Sequence, residues 1–275
     1  MIYCPEDRKI CEALLKAAQK HGDHILPIPR LVAAAGRHFL DAPYEAGTLE
    51  LEGPESLVVN LRSFDCVTFV ETAIALTLTI RAQKTGFADF AATLERLRYR
   101  GGKRDGYASR LHYFSDWLLG NGRRGIIRDI TAGLGGVPFR KDFHALTDRR
   151  KELPPLADEA VFRRMRLVER TCSRRTLHRI PKADLKRAGT GILEGDIVAI
   201  TTNAPGIDVS HAGIAVCGPR SLHLLHASSE AGRVIVSEGT LYRYLAARPS
   251  RTGVLVGRVL DPAESRTVRP AKKPA

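Results

Sequence analysis

The feature that most constrains this chain is CVTFVETAIALTLTI, which begins at Cys66 and is apolar almost all round at helical length. A helix of that composition has no face suited to water and must be buried. Asp65 and Ser63 stand just ahead of it as candidate caps. The region before it is helical in spacing. Apolar positions at Ile10, Leu14, Ala17 and Ala18 predict a helix over 6–20, and Pro29 suits the first turn of a second helix running to about Leu40. Pro and Gly then mark DAPYEAGTLELEGPE as loop, and LVVN at 57–60 is strand-like. A further amphipathic helix is expected over 87–99. Residues 100–160 are basic and Gly-rich and are expected to be loops, short helices and a hairpin.

The last hundred residues change character. Strands are expected at 196–201, 209–217, 221–227, 233–237 and 253–260, with hairpin turns at 218–219 and 231–232 and a helix over about 239–247. Helices first and an antiparallel sheet afterwards make an α+β layout. We expect one domain over 1–260 with inserted loops around 100–190. The basic tail at 261–275 is too poor in apolar residues to pack and is expected to be disordered.

Composition narrows the chemistry. The 275 residues carry five cysteines and a net charge of +13. No cysteines are spaced as CxxC, which disfavours a disulfide framework or a four-thiolate zinc site. Basic clusters lie at 96–104, 123–128, 163–175 and 179–187. They suit a polyanionic partner or simply a solvated surface, but they lack interleaved aromatics, so no nucleic acid is expected. No phosphate loop or dinucleotide fingerprint occurs, and no segment reaches the apolar length of a membrane span. The start is charged from residue 6 and shows no leader.

Cys66 is the candidate nucleophile. Unpaired N–H groups and the dipole at a helix start favour thiolate over thiol and could hold an oxyanion. A thiolate needs a base, and the base an orienter. His211 lies in VSHAGIAV with the small residues Gly213 and Ala215 on its face, leaving room for a helix end or a ligand. The next strand, SLHLLHASS, offers His223 and His226 as the neighbour that fixes its tautomer, and alternation does not choose between them.

FLDAPYEAGTLE, SFDCVTFVE, DVSHAGIAV and LLHASS together resemble the NlpC-type peptidoglycan peptidase superfamily, of papain-like fold. The segments LVVNLRSFDCVTFVETAIAL, RYRGG, GYASRLHYFSDWL, GDIVAITT, GIDVSHAGIAV and HLLHASS, in that order, are similar to its N-acetylmuramoyl-L-alanine amidase-like branch over roughly 28–260. The stretch PFRKDFHALTDRR departs from that branch. The resemblance implies helices packed on a C-terminal antiparallel sheet, Cys66 as nucleophile, His211 as base and His226 as orienter. It places Tyr44 near the oxyanion, Asp65 beside the nucleophile, and Asp208, Ser210, Arg110, His112 and Trp117 along the substrate pocket. It implies no cofactor and no metal. The substrate is expected to be peptidoglycan or muropeptides, cut between N-acetylmuramic acid and L-Ala, in the periplasm or envelope; without a visible leader, the cytoplasm stays open. A D-glutamyl-diamino acid endopeptidase and a basic binding protein for anionic wall polymer are the rival readings.

Overall fold

In a computed structural model, residues 1–188, 191–218 and 221–262 are described. The expected tail beyond 262 and the Pro219 half of one expected turn lie outside them. The helices are α1 (Pro5–His21), α2 (Ile28–Arg37), α3 (Cys66–Arg81), α4 (Phe87–Arg98), α5 (Phe114–Arg123), α6 (Ala145–Asp148), α7 (Glu159–Ser173), α8 (Leu185–Ala188) and α9 (Leu241–Ala246). The strands are β1 (Ile127–Asp129), β2 (Val137–Phe139), β3 (Leu177–Pro181), β4 (Ile197–Thr202), β5 (Val209–Cys217), β6 (Leu222–Ser228), β7 (Arg233–Val236) and β8 (Arg251–Val259). Among the described residues they form one antiparallel sheet in the order β2-β3-β8-β4-β5-β6-β7, with β1 pairing the far end of β8.

The helix that begins at Cys66 is the hub. It is buried on every side from Thr68 to Thr77, enclosed by α2, α4, β5 and β6. Close packing on the sheet runs through Gly36 of α2: a Cβ there would lie 2.9 Å from both Ile214 Cδ1 and Leu225 Cδ2. The one charge on the buried part of α3 is compensated. Glu71 accepts from Arg98 Nε at 2.7 Å and Trp117 Nε1 at 3.1 Å, and Arg98 also donates to the Val58 carbonyl at 2.6 Å. Burial pushes the Glu71 carboxyl up, while Arg98 and Trp117 pull it down.

Several expectations need correction. Residues 57–60 are not a strand: Val58 makes a single bridge to Ile2. The region 100–190 is more than inserted loops. It holds the 15-residue α7, anchored through Met165, Glu169 and Cys172, and it supplies β1, β2 and β3 to the sheet. Charged Glu169 takes a core position because Tyr113 Oη donates to it at 2.6 Å and the backbone N–H groups of Leu146 and Thr147 at 3.1 Å. A periodicity reading that counts only apolar residues misses a buried glutamate and an arginine-rich outer face.

Breaking the pair beneath α3 tests its role. Arg98→Met should lower unfolding free energy by about 3–5 kcal/mol, because it leaves the Glu71 charge buried and unpaired. Urea unfolding should show much of that loss recovered in the double variant Glu71→Leu/Arg98→Met.

Candidate active site

The first turn of α3 is fixed by Asp65. Its Oδ1 accepts from Val67 N at 2.9 Å and Thr68 N at 2.7 Å, and Thr68 Oγ1 returns a bond from the Asp65 N–H at 3.0 Å. This is a reciprocal capping box. Ser63, the other candidate cap, donates instead to Glu45. Asp65 therefore spends its Oδ1 on the helix. It also engages the Val67 and Thr68 N–H groups expected to be free for an oxyanion; the Cys66, Ala212 and shared Val67 N–H groups act on the Cys66 sulfur.

That Ala212 contact sets the sulfur of partly exposed Cys66 beside β5, one residue from His211. The His211 Nε2 and His226 Nδ1 atoms are 2.7 Å apart, with the rings at 87°. Sheet register explains why His226 and not His223 meets His211. Ile214 pairs with Leu225 and Val216 with His223, so His223 sits farther along and on the opposite face. The His223 ring bonds Ser221 Oγ and the Ser237 carbonyl. The open space expected at Gly213 is absent: a Cβ there would meet the Leu225 carbonyl at 2.8 Å and His226 Cβ at 2.9 Å. The missing side chain makes room for β6 and His226, not for a ligand.

The electrostatics favour neutral groups. Burial pushes the Cys66 thiol up to about 12, the Asp65 carboxylate adds to this, and the backbone N–H groups oppose it. The expected thiolate preference of a helix start is thus outweighed by desolvation. Burial, the neighbouring His226 and Arg251 bring His211 down to about 3. Burial and Arg251 bring His226 down to about 4.

The other expected site residues divide. Tyr44 pairs with Phe64 and faces the start of α3; burial, then Cys66 and Asp65, push its hydroxyl up. Ser210 is exposed next to His211. Asp208 is buried and accepts from Ser115 N at 2.7 Å, so it ties the start of β5 to the start of α5. Arg110 is clamped on the Leu49 carbonyl at 2.8 Å and Glu50 at 2.6 Å. His112 packs on Tyr107 and bonds its carbonyl at 2.9 Å, and burial lowers its pKa. Trp117 is buried on Glu71. The polar contacts named for these four are to the protein's own framework. Two residues absent from the sequence expectations stand at the histidines: Tyr244, whose ring centre lies 5.1 Å from His226 and 6.0 Å from His211, and Arg251, whose guanidinium lies 4.0 Å over the Tyr244 ring. No motif spacing marks either one. Among the described residues no cluster of three His, Cys, Asp or Glu side chains could hold a metal, and no helix is long and apolar enough to cross a membrane.

The family model described as AmiA-like, N-acetylmuramoyl-L-alanine amidase-like, matches residues 34–254. The chain belongs to this family. It is 39% identical to an N-acetylmuramoyl-L-alanine amidase from Bacteroides uniformis, covering 84% of this chain and 98% of that one at a TM-score of 0.80. A Bacteroides fragilis structure described as a candidate xylanase is 40% identical over 82% of this chain and 100% of its own, at a TM-score of 0.77. A Legionella pneumophila protein shares the fold at 20% identity, a TM-score of 0.69, 92% coverage of this chain and 95% of its own. No curated protein matches.

Two outcomes follow from this amidase-like site. Gly213→Ala should displace β6 and His226 and destabilise the protein by about 1–3 kcal/mol in urea titration, since packed cores resist added atoms. Both histidines titrate lower folded than their usual 6.5, so the unfolded chain binds more protons between those values. Stability should be full above about pH 6.5 and fall as the pH drops toward 4, and His226→Gln should flatten that decline in Tm.

Proposed function

We propose that this chain is a cysteine amidase of the NlpC-type, papain-like fold that hydrolyses the N-acetylmuramoyl-L-alanine bond of peptidoglycan or muropeptides in the cell envelope. The carrying observation is the convergence at the start of α3, where the Cys66 sulfur lies against the Ala212 N–H and His211 is paired to His226 at 2.7 Å. The family description and the name of the Bacteroides uniformis neighbour support this choice of bond.

The chemistry follows from the electrostatics. Cys66 and His211 rest as thiol and imidazole, so His211 acts as general base during attack and not as a preformed partner ion. With His226 Nδ1 accepting from His211 Nε2–H, His211 Nδ1 carries the free lone pair. It takes the thiol proton as sulfur adds to the lactyl carbonyl, and the oxyanion meets the Cys66 N–H and the Tyr44 hydroxyl. His211 then gives the proton to the L-Ala nitrogen as the C–N bond breaks. Water, deprotonated by His211, cleaves the thioester and restores the thiol. No step calls for a metal or cofactor. The +13 charge suits an anionic substrate.

The xylanase description of one neighbour fits less well. Glycosidases work with two carboxyl groups across the scissile bond. Here the converging groups are a thiol and two imidazoles, and the carboxylate beside them caps a helix.

Cys66→Ala should lower turnover of muropeptides at least about a thousandfold while leaving the fold and ligand binding intact. Unchanged turnover would overturn the mechanism. Mass analysis of products from defined muropeptides checks the bond: free N-acetylmuramic acid ends and intact stem peptides are expected. Cleavage after D-Glu with the lactyl–alanine bond preserved would show an endopeptidase. Binding without any turnover by the intact protein would show a wall-binding protein.

A further inference from the structure

The His211–His226 contact depends on ring orientation, and an imidazole turns easily about its outer torsion. Something must hold His226 so that Nδ1, and not a ring carbon, meets His211. The sheet supplies the backbone but not the rotation. Among the described residues, the rings that meet His226 are those of His211 and Tyr244, and Tyr244 meets both histidines, at 66° to His226 and 37° to His211. Tyr244 is itself held. Arg251 lies 4.0 Å over its ring and donates through Nη1 to its carbonyl. Arg251 is 8% exposed and opens β8, paired with Thr202 of β4, so its backbone is anchored in the sheet. Helix α9 is thereby tied to the start of β8, the strand that follows it.

We propose that Tyr244 and Arg251 form a positioning unit for the active site, in which Arg251 clamps the Tyr244 ring and the ring walls both imidazoles in the orientation that serves Cys66. This rests on the reading of Cys66, His211 and His226 as the reacting groups. The unit has an electrostatic consequence as well. The Arg251 cation opposes protonation of both histidines. Other titratable groups lie around the same cluster. Cys66, at the start of α3, acts on the Tyr244 hydroxyl, and Asp65 and Tyr44 lie around Cys66. Glu230 of the β6–β7 turn favours a protonated His226, and it is paired with Arg248 and lies 4.0 Å from Arg251. With Arg251 in place, the histidines stay available as bases in mildly acid conditions.

The experiment uses the full chain and two readouts. In muropeptide turnover, Tyr244→Leu should lower kcat about tenfold or more with little change in KM, and Tyr244→Phe, which keeps the ring, should restore most of it. Wild-type kcat in Tyr244→Leu, or an equal loss in Tyr244→Phe, overturns the wall. In NMR titration of the histidine rings, read without substrate, Arg251→Gln should raise the His211 and His226 midpoints by about half a unit or more, while Arg251→Lys should leave them in place. Unmoved midpoints in a folded Arg251→Gln overturn the electrostatic half. If that variant does not fold, the Tyr244 pair decides alone. The titration also separates this proposal from the parent mechanism, since it reports on the histidines whether or not Cys66→Ala abolishes turnover.

Discussion

Everything in this molecule is arranged around the burial of α3. A helix with no wet face has to be enclosed, and here α2, α4, β5 and β6 all pack against it. Enclosure fixes the helix axis and therefore its first residue. The polar groups that burial would strand are each answered: Asp65 takes the first-turn N–H groups, and Arg98 and Trp117 take Glu71. Cys66 arrives at β5 because the hydrophobic core leaves the helix nowhere else to end.

The same burial decides the ionic character of the site. A helix start offers partial positive charge to a thiolate, but that field is modest and acts through donors that Asp65 has partly claimed. Desolvation is the larger effect, and it acts on thiol and imidazoles alike. The result is a neutral, hydrogen-bonded pair of histidines beside a neutral thiol. Such a site stores little charge at rest.

Much of this was legible before any coordinates. Helices α1 to α4, strands β4 to β8 and α9 stand within a few residues of where apolar spacing and turn residues put them. The middle of the chain was not. In α7, buried Met165 and Cys172 are separated by buried Glu169 among arginines, and β3 reaches the sheet only through Ile180 and Pro181. Both are stabilised by partners distant in sequence, which local patterning does not register. Asp208, Arg110, His112 and Trp117 show what a motif cannot carry. Their position near a site motif suggests pocket walls, but their hydrogen bonds to the protein's own framework are set by tertiary partners that the sequence does not name.

The sequence by itself determined that a cysteine would head a buried helix and that histidines would lie on adjacent strands, because capping, apolar period and alternation are local properties of the chain. Only the tertiary structure decided which histidine would meet His211, because that depends on how β5 and β6 are registered, and a shift of one residue changes the face. It alone set Tyr244 and Arg251 at the histidines, since a helix between two strands can be placed only once the sheet exists. It alone set the charge state of Cys66, because desolvation is a property of everything packed around an atom and not of the residues beside it in the chain.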